Sequence, residues 1–275
     1  MRKSYLKNIS SPFRRHRGAP ATARFVLTTL FGVLISTAFT GCHGDRDEGR
    51  IHAAARPASI LLFNGTGASP GDGAALEKIL SNEHLNYSTV DSSRLNGMSE
   101  SQIREYRLLI VPGGNFEDLG NSLTSSTVAN IRNAIQNGVN YLGVCAGAFF
   151  AGNSPYNGLN LTSGLRFGFY AAEARGIRKA AIAISVAGGQ TLDQYWEDIP
   201  QLTGWGAVVG KYPDGTPAIV EGTFGSGWVI LTGVHPEAPA SWRHAMDFRT
   251  PVNVDNAFAA TLIHAALNRE LLPHY

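Results

Sequence analysis

The chain has 275 residues, of which 44% are hydrophobic and 16% charged, with 31 Gly, 13 Pro and only 2 Cys. Glycine stands well above the usual ~7%, which points to many tight loops, while ordinary proline and the presence of aromatics exclude disorder, collagen and coiled coil. Two cysteines cannot staple a miniprotein, so one globular domain of roughly 200 residues with a proper core is left.

The net charge of +2 is unevenly distributed. Residues 1–44 hold no Asp or Glu but seven basic residues, from Arg2 to Arg24. Phe25 to Thr40 follows as an uncharged, mostly apolar run ending in Gly41-Cys42. A basic start, a short apolar stretch and small residues at its end predict a secretory signal peptide over 1–41. Sixteen residues fall short of the roughly 20 needed for a permanent span. Residues 42–57 are polar, without apolar periodicity, and read as a flexible tether. Removing the leader leaves 16 basic residues against all 21 acids, so the mature chain is acidic. A nucleic-acid partner is therefore not expected.

From residue 58 onward the expected unit is a single domain to residue 275. Ser59 to Phe63 reads as a buried strand ending in Asn64-Gly-Thr-Gly67. Ala74 to Leu80 has helical spacing and is opened by Asp72. Tyr87–Val90 and Leu108–Val111 are the next strands, the latter cut off by Pro112-Gly113-Gly114. Ser125 to Gln136 is a helix, and Val139 to Val144 a strand running directly into Cys145. Strands alternating with helices predict a flavodoxin-like, doubly wound α/β fold: a mostly parallel sheet with helices on both faces. Ala180–Val186, Ala218–Gly222 and Trp228–Leu231 are β-like, and the turn between the last two predicts a hairpin and a partly antiparallel extension. Val254 to Leu267 closes the chain as an amphipathic helix.

The chemistry centres on Gly143-Val-Cys145-Ala-Gly147, a strand–turn–helix junction of the nucleophile-elbow kind. Such a turn strains the nucleophile's backbone and lifts its side chain above the carboxyl edge of the sheet. Among seven histidines after residue 41, only His235 ends a strand with a carboxylate close behind, Glu237. An imidazole there acts as a base and the carboxylate holds its tautomer. Val111-Pro-Gly-Gly-Asn115 exposes backbone N–H groups on the same edge, so Gly114 and Ala146 are candidates for an oxyanion hole. Gly65 to Pro70 is a broken dinucleotide fingerprint, with proline where the third glycine belongs; a pocket-rim loop is the better reading. Glu117 and Asp118 read as solvated loop, and Tyr195-Trp196-Glu197 as aromatic core with a surface acid. No His, Cys or acid spacing suggests a metal site, and no cofactor is expected.

These residues resemble the class I glutamine amidotransferase-like superfamily, and in particular the branch named after the N-terminal region of fungal biotin–protein ligases. The resemblance runs over about Ser59 to Leu267. It rests on Val111-Pro-Gly-Gly, Tyr141-Leu-Gly-Val-Cys-Ala-Gly-Ala-Phe-Phe150 and Gly225-Ser-Gly-Trp-Val-Ile-Leu-Thr-Gly-Val-His-Pro-Glu237. It implies Cys145 as nucleophile, His235 as general base and acid, Glu237 as orienting carboxylate, and Asn115 and Phe149 as substrate contacts. Phe149 stands where amidotransferases carry a glutamine that helps to bind substrate, which points away from glutamine here. Phe39-Thr-Gly-Cys42 resembles a bacterial lipobox, implying lipidation at Cys42 and an exported, membrane-anchored lipoprotein facing the periplasm or cell exterior. Cys145 is then the single remaining thiol.

Two functional classes stay open on the sequence. One is an exported cysteine hydrolase or amide/acyl transferase acting on a small amide or peptide. The other is a non-catalytic binding module that retains the fold. The intracellular-protease-like branch of the superfamily ranks last, because the first strand ends Phe63-Asn-Gly-Thr-Gly67 without an acid.

Overall fold

Four consecutive apolar residues, Ile60–Phe63, form β1, and all four are buried. A run without polar alternation is what a parallel strand covered on both faces requires. The structure is a computed structural model that describes residues 58–171, 176 and 178–275. The expected leader 1–41, Cys42 and the tether to residue 57 lie outside the described residues. Within the described residues no helix is long and apolar enough to cross a membrane.

After β1 come α1 (Pro70–Asn82), β2 (Tyr87–Val90), α2 (Ser92–Asn96), α3 (Glu100–Ile103) and β3 (Leu108–Val111). They are followed by α4 (Phe116–Asn121), α5 (Ser125–Gln136), β4 (Asn140–Val144) and α6 (Ala146–Ala151). The second half holds β5 (Gly168–Phe169), β6 (Lys179–Val186), β7 (Gln190–Glu197), β8 (Pro200–Gln201) and β9 (Ala207–Lys211). It ends with β10 (Pro217–Phe224), β11 (Gly227–Thr232) and α7 (Val252–Asn268).

One nine-stranded sheet runs β2-β1-β3-β4-β11-β10-β9-β6-β7, and β5 pairs with β8 apart from it. The first five strands are mutually parallel in the flavodoxin-like order. From β11 outward the pairing is antiparallel. The α/β fold with its antiparallel extension is thus the one expected. The β10–β11 hairpin turns through Gly225-Ser226, with Phe224 opposite Gly227.

The core lies on both faces of the sheet. One layer packs Leu76, Ile79 and Leu80 of α1 with Phe258, Leu262 and Ile263 of α7. The other packs Leu95, Ile103, Leu119, Ile131 and Phe150 from α2 to α6. Caps delimit the short helices: Asp91 accepts from Arg94 N–H, Ser99 and Gln102 form a capping box, and Asn115 caps α4.

Register fixes which chain ends meet. Val111 of β3 lies opposite Gly143 of β4, and Val144 of β4 opposite Thr232 of β11. The loops after β3, β4 and β11 therefore leave the sheet at one carboxyl edge, where doubly wound folds place their sites.

Candidate active site

Between the end of β4 and the start of α6 a single residue turns the chain, and it is Cys145, with φ 48° and ψ −101°. A non-glycine residue held there stores of the order of 1–3 kcal/mol of strain. Backbone bonds fix it: Cys145 N–H donates to Thr232 O at 2.8 Å, and Cys145 O accepts from Ala148 and Phe149 N–H. The flanking glycines are steric requirements. A Cβ on Gly147 would run into the Val111 carbonyl, and one on Gly143 would stand 2.6 Å from Gly147 O. Tyr141, fully buried, donates its hydroxyl to Gly147 O at 2.7 Å and locks the same turn.

His235 follows β11 and is buried, and its N–H donates to Tyr195 O at 3.0 Å. Its Nδ1 lies 2.8 Å from Glu237 Oε1, as expected from their spacing. A second carboxylate, unforeseen, stands at the same nitrogen: Asp72 Oδ1 is 3.0 Å away. One N–H cannot point at both oxygens, so Glu237 takes the directed hydrogen bond and Asp72 acts by charge. Among the described residues the Cys145 side chain makes no hydrogen bond. It is joined to His235 electrostatically, since charge on the sulfur is one of the influences that raise the imidazole's pKa.

Burial works against a charged His235, but Glu237, Cys145 and Asp72 outweigh it and hold the ring well above its ordinary value. Burial also works against ionised Asp72, yet His235 keeps that carboxyl below its ordinary value. Glu237 goes the other way, pushed up by burial and by the negative Asp72 against the pull of His235. Two carboxylates at one nitrogen cannot both ionise freely, so the cluster favours an imidazolium beside one full negative charge.

The N–H of Ala146 is the first of α6 and has no partner within the helix. The bridge between Ala68 and Gly114 is made by the flanking bonds Asn115 N–H to Gly67 O and Ser69 N–H to Gly113 O. The N–H of Gly114 therefore stays outside the ladder. Glycine is needed at 114, where φ is +141° and a Cβ would strike Gly67 O. Gly113 lies still closer to the cluster: a Cβ there would collide with Asp72 Oδ1 and stand 2.5 Å from His235 Cε1.

Asn115 is committed to its cap, its Oδ1 accepting from Glu117 and Asp118 N–H. Those two acids are solvated, as expected, but they stand on the first turn of α4 rather than in a loop, because Asn115 caps a helix there. Phe149 stacks on Phe116 at 4.6 Å between ring centroids. Gly65 to Pro70 leads into α1, with Pro70 at the first helical position. Tyr195 donates its hydroxyl to Glu197 at 2.6 Å and stands edge-on to the His235 ring at 5.7 Å. Trp242, from the loop after Glu237, also meets that ring edge-on at 5.9 Å and contacts Tyr195 at 5.4 Å.

Asp72 Oδ1, His235 Nδ1 and Glu237 Oε1 also form a group dense enough to hold a metal ion, with ligand atoms within 4.8 Å of one another. The spacing rules used on the sequence do not see it. The 2.8 Å separation from Glu237 is that of a hydrogen-bonded imidazole and the 3.0 Å one from Asp72 that of a close ion pair; a metal bound to the nitrogen at about 2.0–2.1 Å would need the carboxylates to move.

Residues 58–177 match the family model described as biotin–protein ligase, N terminal. The matched stretch holds Asp72, the Gly113-Gly114 loop and Cys145, and it ends before His235 and Glu237. No curated protein matches the chain at a significant level. Among solved structures, a glutamine amidotransferase is 17% identical, with a TM-score of 0.48 over 66% of this chain and 91% of that one. A putative GMP synthase protein from Thermoplasma acidophilum is 13% identical, with a TM-score of 0.49 over 78% and 96%. An exo-β-1,4-mannosidase from an Opitutaceae bacterium is 13% identical, with a TM-score of 0.44 over 76% of this chain but only 36% of its own.

Sequence reasoning missed Asp72 and Trp242. An acid in the first turn of a helix is explained by the helix dipole alone. Nothing local in the sequence marks it as facing an imidazole.

Proposed function

We propose that the protein is an exported, lipid-anchored cysteine hydrolase or amide/acyl transferase acting on a small amide or peptide. The observation that carries the reading is the buried His235, its Nδ1 bound by Glu237 at 2.8 Å and its charge coupled to an elbow cysteine at φ 48°. In this reading the thiolate of Cys145 attacks the amide carbonyl carbon, forming a C–S bond and placing negative charge on oxygen. Gly114 and Ala146 N–H receive that charge. The imidazolium of His235 gives its proton to the leaving nitrogen as the C–N bond breaks. Water or an amine then attacks the thioester, His235 takes its proton, and the C–S bond breaks to restore the thiolate.

The raised His235 pKa suits the first half of this cycle, because the proton needed by the leaving amine is already held. Glu237 and Asp72 act by holding the ring and its charge.

Thiol labelling of the full chain tests the reading. Cys145 is expected to react with iodoacetamide at neutral pH at least tenfold faster than free cysteine, with the advantage abolished in His235→Ala. Slow labelling that ignores His235 would overturn it and favour the binding module. That second reading draws on one observation: the Cys145 side chain makes no hydrogen bond among the described residues.

A further inference from the structure

Four phenylalanines line a cavity of about 230 Å³, completed by Ser154, Arg166 and Gly168. Phe116, Phe149 and Phe169 form a closed triangle of rings, with centroids 4.6, 4.9 and 6.2 Å apart, and Phe167 is buried behind them. Such separations are those of favourable ring packing, so the walls are set before anything enters.

The walls stand on the elements that carry the proposed reacting groups. Phe116 is two residues from Gly114, within about 7 Å by chain reach. Phe149 is one helical turn from Cys145, about 6 Å along the axis. The volume lies below the roughly 300–1,000 Å³ of pockets that take drug-sized ligands. It suits a single ring or branched apolar group rather than a long chain. Its one charged wall residue is Arg166, exposed and, among the described residues, without a carboxylate partner. A cation at the mouth of an apolar pocket selects a group that carries a negative charge next to its apolar part.

The geometry points to a substrate whose acyl portion carries an aromatic or bulky apolar side chain together with a carboxylate, the ring resting in the cavity against the wall of Phe116, Phe149 and Phe169 and the carboxylate on Arg166. This deepens the cysteine-hydrolase reading and rests on it. It also accounts for Phe149 at the place where a glutamine-specific site carries a polar side chain.

Three thiol reagents with different tails test it on the full chain: N-iodoacetyl-L-phenylalanine, its carboxamide, and N-iodoacetylglycine. Modification is followed by mass on the Cys145 peptide and each rate is divided by that with glutathione. Burying the ring should favour the phenylalanine reagent over the glycine one by about 10- to 100-fold. The exposed ion pair should favour the acid over its carboxamide by about two- to fivefold. Arg166→Gln should erase the second preference and keep the first, and Phe169→Leu should reduce the first. Plain iodoacetamide, run on every variant, reports whether the elbow is intact. Equal rates with all three reagents, alongside fast and His235-dependent iodoacetamide labelling, would overturn the pocket and leave the cysteine reading standing. If iodoacetamide labelling is itself slow, calorimetric binding of N-acetyl-L-phenylalanine decides instead. Binding weakened by Arg166→Gln would uphold the pocket, and no binding would overturn it.

Discussion

Asp72→Asn keeps the shape of the side chain at His235 and removes its charge. Two unit charges about 4 Å apart attract by roughly 4 kcal/mol at an effective dielectric of 20. That would amount to about three pKa units at 1.36 kcal/mol each. The full amount will not be realised, because Glu237 compensates. Asp72 is one of the influences that hold the Glu237 carboxyl up, so once it is gone Glu237 ionises more completely and takes over part of the imidazolium. A fall of about one to two units in the His235 pKa is the expected net result.

Iodoacetate is the probe of choice, since its negative charge is drawn to the imidazolium and its rate on Cys145 falls when His235 loses its proton. His235 is raised in the folded chain, so the imidazolium persists above pH 6.5 and is lost as pH climbs through the higher folded value. The contribution of this group to stability follows the same sign: it is complete below about pH 6.5 and disappears through that limb. The descending limb of the wild-type rate should therefore lie well above pH 6.5. Asp72→Asn should move it down by about one to two units, Glu237→Gln should move it comparably, and the double variant should move it by more than the two together. An unmoved limb in Asp72→Asn would refute the charge role assigned to Asp72, whatever happened in Glu237→Gln.

Other perturbations test other parts of the structure. Gly147→Ala pushes a methyl group into the Val111 carbonyl and should destabilise by about 1–3 kcal/mol, roughly 2–4 °C of melting temperature per kcal/mol, with loss of fast labelling. Gly97→Ala, whose added atom meets only ordinary contacts, should melt near the wild type. Glu221 is buried, with Oε1 accepting from Leu272 N–H at 2.9 Å and meeting His274 Nε2 at 2.6 Å. His274→Ala should cost about 1–3 kcal/mol in a denaturant titration, and adding Glu221→Leu should restore much of it. Cys42→Ser should release the protein from the membrane fraction of expressing cells; continued sedimentation with membranes would reject the lipid anchor.

The parts that were legible before the structure share a physical cause. Leu108–Val111 is apolar on both faces because both faces are covered, and such a run announces a parallel strand from composition alone. The elbow was legible because steric crowding leaves almost no residues but glycine at 143 and 147. The β7 strand was not recognised as the long partner of β6, and its pattern explains why. Gln194 sits mid-strand and fully buried, its Nε2 donating to Asp255 Oδ1 at 2.7 Å. A buried polar side chain whose amide nitrogen is bonded to a partner on α7 breaks the alternation that marks a strand. Asp72 was invisible for a related reason, since its partner is brought close only by tertiary structure.

The topology explains why the two proposed reacting groups come from distant parts of the chain. After Cys145 the chain leaves the parallel layer, builds β6, β7, β9 and β10 as an antiparallel extension, and returns as β11 beside β4. That return is parallel to β4, with Thr232 opposite Val144, so the next few residues emerge at the edge where Cys145 already stands. Tyr195, on β7 of the same extension, then receives the His235 N–H and fixes the imidazole's backbone. The extension thus supplies a support for the base, in addition to lengthening the sheet. The family match, ending at residue 177, covers the nucleophile side and Asp72 but neither β11 nor this support. Tyr195→Ala keeps the carbonyl that receives the His235 N–H but removes the ring standing edge-on to the imidazole, so it should disturb His235, read as a shifted pH dependence of Cys145 labelling. It should leave the strained turn at Cys145 in place, because that turn is held by the backbone of Thr232 and Pro112 and the hydroxyl of Tyr141 instead.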